Sequence, residues 1–303
     1  MSLLVVGSVA FDDVQTPVGR RERALGGSAT YFSLSASHAT EVQVVAVVGE
    51  DFGSPQLSVF GGRPIDLQGL ERRAGASFHW KGAYEWDFNE AKTLETHLNV
   101  FADFHPRLPE PYRQSPYLFL GNIAPSLQLD VVRQMARRPR WIALDTMNYW
   151  INGAREDLAA VLREVDILLV NDGEVRALTG ERQNARAYQR VREMGPRILL
   201  VKHGEFGVSL FTPEGVFAAP AYPLEEVVDP TGAGDTFAGG FLGFLARIGR
   251  MDFPALKHAT LAGSVMASFT VERFSTERLE SVTSEDIEKR LSLFSDMIRV
   301  EAL

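Results

Sequence analysis

The stretch Asp229–Gly243, DPTGAGDTFAGGFLG, carries more structural information than any other part of the 303-residue chain. Pro230 favours an extended backbone at Asp229. The small residues Gly232-Ala233-Gly234 then open a helix, and the apolar spacing that follows continues it to about Gly249. Because the first backbone N–H groups of a helix have no partner within it, this stretch predicts a pocket for negative charge.

Asp235 falls in the first turn of the same predicted helix. A carboxylate at that place stabilises the helix dipole by ~0.3–1 kcal/mol, which is a purely structural interpretation. It also places a general base beside an anion pocket, which is what transfer of a phosphoryl group to a hydroxyl requires. Glycines at 239, 240 and 243 each cost ~1 kcal/mol relative to alanine, which indicates a close approach by another part of the chain.

Short apolar runs alternate with helical stretches along most of the chain. The runs are Leu3–Val9, Val42–Val48, Tyr117–Leu120, Trp141–Leu144, Ile167–Val170 and Ile198–Val201. The stretches that read as helices between them include Leu127–Arg137, Glu156–Glu164 and Ala185–Met194. This alternation predicts a parallel α/β sheet, in which ligands bind beyond the carboxyl ends of the strands.

One segment breaks this alternation. Between Phe78 and Phe88 the even positions are aromatic or glycine and the odd positions are mostly polar, which predicts a strand or bent hairpin with one aromatic face. A second alternation follows at 94–100. We expect a small antiparallel sheet whose aromatic face is covered by the substrate, the main domain or a second subunit. A homodimer through this sheet is our hypothesis.

Composition excludes several functional classes. The chain has 31 Lys and Arg against 39 Asp and Glu, a net charge of −8, and nucleic-acid binders usually show the opposite balance. It has no cysteine, which excludes disulfides, thiolate metal sites and a cysteine nucleophile. No apolar run of 18 residues and no basic leader occur, so we expect a cytoplasmic protein that binds neither membranes nor nucleic acids.

The segment DPTGAGDTF resembles the C-terminal signature of the PfkB/ribokinase family of carbohydrate and nucleoside kinases. Other motifs extend the resemblance over the whole chain: Gly7-Ser8 with Asp12, Gly26-Gly27, Gly49–Gly53, Asn171 with Glu174, and Lys202-His203-Gly204 with Gly207. The resemblance implies a three-layer α/β/α fold with a mostly parallel sheet. It also implies one domain, 1–303, with lid segments at about 15–23 and 75–102.

The same resemblance implies an ATP-dependent kinase that transfers the γ-phosphoryl group to a hydroxyl of a small sugar or polyol. Asp235 would be the general base, and the amides of Gly232, Ala233 and Gly234 would form the anion hole. Asp12, Gly26, Gly27 and Tyr31 would bind the acceptor.

On the nucleotide side, the resemblance assigns Asn171, Lys202, Gly204 and Gly207. It assigns Glu174 to Mg²⁺, held through water. Asp229 and Thr231 would offer oxygens to a monovalent cation such as K⁺, as in some members. The residues alone also allow a structural interpretation, because Asn171 and Glu174 have the spacing of a helix capping box.

Two positions depart from the family pattern. Tyr31 stands where the first signature normally carries an asparagine for a sugar hydroxyl, and Lys202 replaces a common threonine. The acceptor therefore stays open. A nucleoside would stack on Tyr31, Trp80 and Tyr84, whereas a phosphorylated sugar would need a cation from a set of five: Arg20, Arg21, Arg23, Lys81 and Arg107. A non-catalytic sensor of sugars or nucleotides is the alternative outside enzymes.

Overall fold

The computed structural model describes residues 2–86, 88 and 91–300. The strands are β1 (Ser2–Val6), β2 (Ala10–Thr16), β3 (Gly19–Gly26), β4 (Glu41–Val48), β5 (Ile65–Arg72), β6 (Phe78–Tyr84), β7 (Ala91–His97), β8 (Tyr117–Leu120), β9 (Trp141–Asp145), β10 (Ile167–Asn171), β11 (Ile198–Lys202), β12 (Val208–Thr212) and β13 (Gly215–Ala219). The helices are α1 (Ser28–Ala36), α2 (Ser54–Ser58), α3 (Pro125–Gln134), α4 (Asn148–Gly153), α5 (Arg155–Leu162), α6 (Asp172–Thr179), α7 (Asn184–Met194), α8 (Ala233–Ile248), α9 (Phe253–Thr270), α10 (Glu277–Ser281) and α11 (Ser284–Met297).

The large sheet has the strand order β13-β12-β11-β10-β9-β8-β1-β4-β5. Every neighbouring pair from β11 to β5 is parallel, and the strands β12 and β13 continue the sheet antiparallel. Alternate residues of the strands feed two cores. In β1, for example, Leu3 and Val5 belong to the core shared with α1, α8 and α9, and Leu4 and Val6 belong to the core on the opposite face. Both faces are thus covered by helices, which confirms the predicted three-layer fold class.

The four strands β2, β3, β6 and β7 form a separate sheet, called here the small sheet, with the order β3-β2-β6-β7. The predicted antiparallel pairing of the two alternating segments is confirmed in β6 and β7, and β6 also pairs with β2, to which it runs parallel. The prediction of one strand over Leu3–Val9 was wrong. The main strand ends at Val6, and the chain crosses Gly7 to enter the small sheet at Ala10. A β-carbon on Gly7 would lie 2.5 Å from Ser28 Oγ, so the chain turns where α1 begins.

The two faces of the small sheet have different surroundings. In the parallel register Asp12 lies beside Trp80, and two residues farther along each strand Val14 lies beside Gly82, so these residues share one face. Tyr84 is on the same face and contacts the loop before α8, so we call it the inner face. The outer face carries charged pairs such as Lys81 with Glu95.

The homodimer was predicted from an aromatic face of the small sheet without an evident cover, and it stays a prediction. The aromatic residues Trp80 and Tyr84 lie on the inner face. Asp87, which belongs to the predicted alternation, lies outside the described residues. The predicted lid segments 15–23 and 75–102 overlap the small sheet, which begins earlier, at Ala10. No helix within the described part of the chain is both long and apolar enough to cross a membrane.

Candidate active site

The site forms where the carboxyl ends of β9, β10 and β11 meet the start of α8. The strand residues that point into the core beside α8 are followed, two positions later on the same face, by Asp145, Asn171 and Lys202. In β8 the matching position is Gly121, where a β-carbon would lie 2.9 Å from Ser28 Oγ, so α1 fills that space. Polar side chains therefore stand at the ends of β9, β10 and β11, beside the start of α8.

The first turn of α8 is fixed by contacts that leave no room for a side chain at Gly232 or Gly234. Gly232 has φ +76°, and a β-carbon there would lie 2.3 Å from the Tyr31 ring. A β-carbon on Gly234 would lie 2.9 Å from Lys202 Nζ. The predicted anion hole, Gly232 to Gly234, is thus packed between an aromatic ring and an ammonium group. The Tyr31 side chain is buried, so it supports this turn from below instead of presenting a stacking surface.

Asp235 carries a buried oxygen without a partner. Its Oδ1 makes no hydrogen bond to any described residue, although the residue as a whole stays partly exposed. Burial, together with the charges of Asp145 and Glu174, raises the pKa of Asp235 to about 7, and Lys202 opposes this shift. Because a buried polar atom without a hydrogen bond is costly, this oxygen marks a position for a ligand group.

Lys202 is the cation of this cluster. Its Nζ lies 3.5 Å from Asp145 Oδ1, and its side chain is 19 % exposed. Burial lowers the pKa of Lys202, but the charges of Asp145, Glu174 and Asp235 outweigh burial, so the pKa lies above its ordinary value and the group stays charged. Burial raises the pKa of Asp145, which Lys202 opposes.

Asn171 and Glu174 form the capping box that the residues alone allowed. Asn171 Oδ1 accepts from the Glu174 N–H at 2.8 Å, and Glu174 Oε2 accepts from the Asn171 N–H at 2.7 Å. Glu174 is buried and acts electrostatically on both Lys202 and Asp235. Capping of α6 thus holds a carboxylate at the site. No group of three or more acidic or histidine side chains among the described residues is arranged to hold a metal ion by itself.

The turn after β11 closes on itself. His203 N–H donates to the Gly207 carbonyl at 2.8 Å, and Gly207 has φ +99° with no space for a β-carbon, which would lie 2.1 Å from the Ala219 carbonyl oxygen. The His203 ring bridges Asp172 Oδ2 at 2.5 Å and Ser209 Oγ at 2.9 Å. The Gly204 turn is therefore tied to the first residue of α6.

Asp12, Gly26 and Gly27, which the resemblance assigns to the acceptor, lie together. A β-carbon on Gly26 would lie 1.8 Å from Asp12 Oδ2, and Gly27 has φ +92° with the Ser8 carbonyl directly against it. Burial, followed by the charges of Asp229 and Asp235, raises the pKa of Asp12 to about 8. Asp12 therefore belongs to the same electrostatic cluster as Asp235 at the start of α8.

Asp229 joins two loops. Its Oδ1 accepts from the Thr231 N–H at 2.9 Å and its Oδ2 accepts from the Ser275 N–H at 3.1 Å. Thr231 Oγ1 lies 3.3 Å from the Tyr84 hydroxyl on the inner face of the small sheet. The monovalent-cation role of Asp229 and Thr231 stays a prediction.

Four of the five cations that were candidates for a phosphorylated acceptor have acidic partners. Arg21 lies 2.5 Å from Glu277, Arg23 lies 3.1 Å from Asp51, Lys81 lies 2.8 Å from Glu95, and Arg20 pairs with Glu22. Arg107 lies elsewhere, because its chain neighbours are held by Gln134 at the C-terminal end of α3. That end of α3 lies at the edge of the sheet where the strands begin.

Sequence reasoning underrated two residues of the site. Asp145 stands outside the motifs that carry the family resemblance, yet it pairs with Lys202 beside α8. Its position at the end of a buried strand was the available signal. Tyr84 was named only as a stacking residue, and its contact with Thr231 had no local signal, because the two residues are separated by 147 positions.

Comparison with known proteins agrees with this geometry. Residues 2–281 match the family model described as pfkB family carbohydrate kinase. The chain is 29% identical to a cytidine kinase of Thermococcus kodakarensis over 82% of its own length and 89% of that protein. It is 26% identical to a nucleoside kinase of Methanothermobacter thermautotrophicus over 95% of its length and 94% of that protein.

Among solved structures, the fold is similar to that of a ribokinase II from E. coli in complex with ATP and Mg²⁺. The TM-score is 0.78 at 19% identity, with 96% of this chain and 99% of the other covered. The match to the family model spans most of the chain, so the protein belongs to the pfkB family of carbohydrate kinases. It is a phosphotransferase that uses a hydroxyl acceptor, of the kind that includes sugar and nucleoside kinases, which confirms the predicted enzyme class.

Proposed function

We propose that the protein transfers the γ-phosphoryl group of ATP to a hydroxyl of an uncharged nucleoside, with Asp235 as the general base. The single observation that carries this proposal is the buried Asp235 Oδ1, which lacks a partner at the start of a helix with a glycine-lined first turn. The sugar or polyol predicted from the sequence is the competing acceptor.

In the proposed step the acceptor oxygen forms a bond to the γ-phosphorus while the bond from that phosphorus to the β–γ bridging oxygen breaks. ADP leaves with the electron pair, and the hydroxyl proton passes to the Asp235 carboxylate. A pKa of about 7 suits this exchange, because the group is then ionised in a large fraction of molecules near neutral pH yet basic enough to accept a proton.

The residues present fit a nucleotide with its metal. Lys202 and the amides of the α8 first turn offer positive charge, and Glu174 offers a carboxylate beside them. Mg²⁺ keeps much of its hydration and uses few protein ligands together with phosphate oxygens. Bound there, it would neutralise charge on the donor phosphates, with Glu174 reaching it through water.

An uncharged acceptor follows from the charges around Asp12. Of the five candidate phosphate-binding cations, four pair with carboxylates and Arg107 lies at the opposite edge of the sheet. After burial, the charges of Asp229 and Asp235 are the largest causes of the raised pKa of Asp12. A second phosphate at this place would meet these acidic groups, and each of the five candidate cations is paired or lies elsewhere.

The small sheet supports a nucleoside in preference to a monosaccharide. A cavity of about 530 Å³ lies between the tips of its hairpins, lined by six residues: Gln15, Thr16, Pro17, Tyr84, Glu85 and Trp86. This volume falls within the range of small-molecule sites, and Tyr84 links the cavity to Thr231. Trp86 is 81 % exposed and offers an aromatic surface for a base. Two of the relatives, the cytidine kinase and the nucleoside kinase, support the same acceptor class.

The test is ADP formation from ATP and Mg²⁺ with a panel of nucleosides, free sugars, polyols and sugar phosphates. We expect a nucleoside to give the highest kcat/KM and Asp235→Asn to abolish its turnover. Asp296→Asn, at an exposed position of α11, is the matched control. Turnover restricted to free sugars or to sugar phosphates would overturn the acceptor class. Tight binding without turnover would identify a sensor instead of a kinase.

A further inference from the structure

The paired side chains Lys202 and Asp145 lie against the first turn of α8. Lys202 Nζ stands 2.9 Å from the point that a β-carbon of Gly234 would occupy. Gly234 belongs to the turn whose amides would hold the phosphoryl group in the proposed reaction. The ammonium would then border the position of the transferring group.

Burial and pairing fix the ammonium there. The Lys202 side chain is 19 % exposed and that of Asp145 is 11 % exposed, with Nζ and Oδ1 3.5 Å apart. Asp145 is itself held, because its Oδ1 accepts from the Thr146 N–H at 3.0 Å and its backbone carbonyl accepts from Gln128. Gln128 is buried under the same strand ends. A cation held in this way has little orientational freedom to lose when a charged group forms beside it.

The charged groups around the Lys202 ammonium are negative. Glu174, Asp145 and Asp235 all act on Lys202, so three carboxylates surround one ammonium. Negative charge that spreads over the phosphoryl oxygens during transfer would be repelled by these groups. Lys202 is the basic side chain that the described residues place at this turn.

We infer that Lys202 is a catalytic residue that contacts the phosphoryl group in its transition state, and that Asp145 is the positioning residue that holds its ammonium beside Gly234. This inference rests on the proposed phosphoryl transfer but not on the identity of the acceptor. Lys202 provides charge where it develops, while the O–P bond to the acceptor forms and the bond to ADP breaks. Asp145 touches neither substrate and acts through Lys202.

The test separates stabilisation of the transition state from binding of the nucleotide. Lys202→Met is compared with Lys202→Arg, and with Lys257→Met as matched control, because Lys257 lies over the Phe253 ring on α9. With the best acceptor of the panel, whether nucleoside or sugar, we expect Lys202→Met to lower kcat by about 10²–10³-fold and to change KM for ATP little. Lys202→Arg restores part of kcat, and the control keeps it.

A binding measurement needs no acceptor. Calorimetry with ADP and Mg²⁺ is repeated with aluminium fluoride, which mimics the phosphoryl group in transit. Lys202→Met should lose affinity for the fluoride complex about 100-fold or more while ADP binding stays within a few-fold. Equal losses for both ligands, or no loss for either, would overturn the catalytic role even if the kinase activity stands.

The role of Asp145 is read from a double-mutant cycle. Asp145→Asn should lower kcat less than Lys202→Met does, and the double variant should be no slower than Lys202→Met alone. Effects that multiply independently would overturn the positioning role of Asp145. Thermal unfolding of each variant shows whether a lost kcat reflects a lost fold.

Discussion

The Tyr84 hydroxyl lies 3.3 Å from Thr231 Oγ1 and joins the inner face of the small sheet to the loop that opens α8. Tyr84 ends β6, and Thr231 stands one residue before Gly232. Burial raises the pKa of Tyr84 well above its ordinary value, and the hydrogen bond with Thr231 opposes this shift. The charges of three carboxylates raise the pKa further, those of Asp229, Asp12 and Asp235. The phenol therefore stays protonated. The contact fastens the small sheet over the predicted anion hole.

Tyr84→Phe removes this hydrogen bond and keeps the ring. A net hydrogen bond contributes about 1 kcal/mol, so we expect kcat/KM for the acceptor to fall about 5-fold. Steady-state kinetics with varied acceptor measure the change. Tyr149→Phe is the control, because Tyr149 is 67 % exposed on α4. An unchanged kcat/KM in Tyr84→Phe would mean that the small sheet closes without this contact.

Asp235→Asn preserves the size of the side chain and removes the proposed base. We expect kcat to fall by about 10²–10⁴-fold, the usual contribution of a positioned general base. The variant should still bind ATP, which calorimetry measures. Turnover near the normal rate would exclude Asp235 as the base and leave its unpartnered oxygen with a different role.

The activity of the unmodified enzyme should depend on pH in a defined direction. The pKa of Asp235 is raised to about 7, and the base works in its ionised form. kcat/KM should therefore rise tenfold per pH unit below pH 7 and level off above it. A pH–rate profile between pH 5 and 9 measures this. A flat profile down to pH 5 would contradict a base with a raised pKa.

Asp12→Asn should stabilise the protein increasingly as pH rises. The pKa of Asp12 is about 8 in the folded protein, against an ordinary value of 3.8. Between these two values the folded state keeps a proton that the unfolded chain has released, so the free energy of unfolding falls as pH rises, by at most about 1.4 kcal/mol per pH unit.

That contribution to stability is fully present below pH 4 and is lost as pH rises through 8. Urea unfolding of both proteins at pH 5 and at pH 8.5 checks the sign. A difference between variant and unmodified protein that stays constant or shrinks with rising pH would contradict a raised pKa at Asp12.

Gly232→Ala should lower the free energy of unfolding by more than its positive φ alone explains. Gly232 and Gly180 have similar φ values, +76° and +72°, but Gly180 has open space around it, whereas a β-carbon on Gly232 meets the Tyr31 ring. The strain at Gly180→Ala is about 1–2 kcal/mol. We expect a larger loss at Gly232, measured by urea unfolding, and partial recovery in the double variant with Tyr31→Leu. Equal losses of stability at both glycines would show that the Tyr31 ring moves aside for the added β-carbon.

The main strands and the start of α8 could be predicted because they depend on local patterns. Buried parallel strands leave continuous apolar runs, and the small residues 232–234 mark a helix start. The strand predicted over Leu3–Val9 was wrong beyond Val6 because the break depends on Ser28, which a local pattern does not contain.

The site could be predicted only in part, for the same reason. Asp235 and the glycines before it are adjacent in sequence and formed one recognisable motif. The Lys202–Asp145 pair and the Tyr84–Thr231 contact join residues from distant strands and loops, so their partners depend on tertiary packing. Tyr31 is the clearest example of a residue whose environment depends on tertiary packing. The family motif assigns it to the acceptor, whereas in the structure its buried ring packs against Gly232.

The acidic groups around Asp12 also bear on product release in the proposed reaction. Burial and then the charges of Asp229, Asp235 and Asp13 raise the pKa of Asp12, so this part of the molecule resists added negative charge. In the proposed reaction, phosphorylation turns the neutral acceptor into a dianion at that place. Repulsion of the product would then favour its departure and oppose the return of the phosphoryl group to ADP.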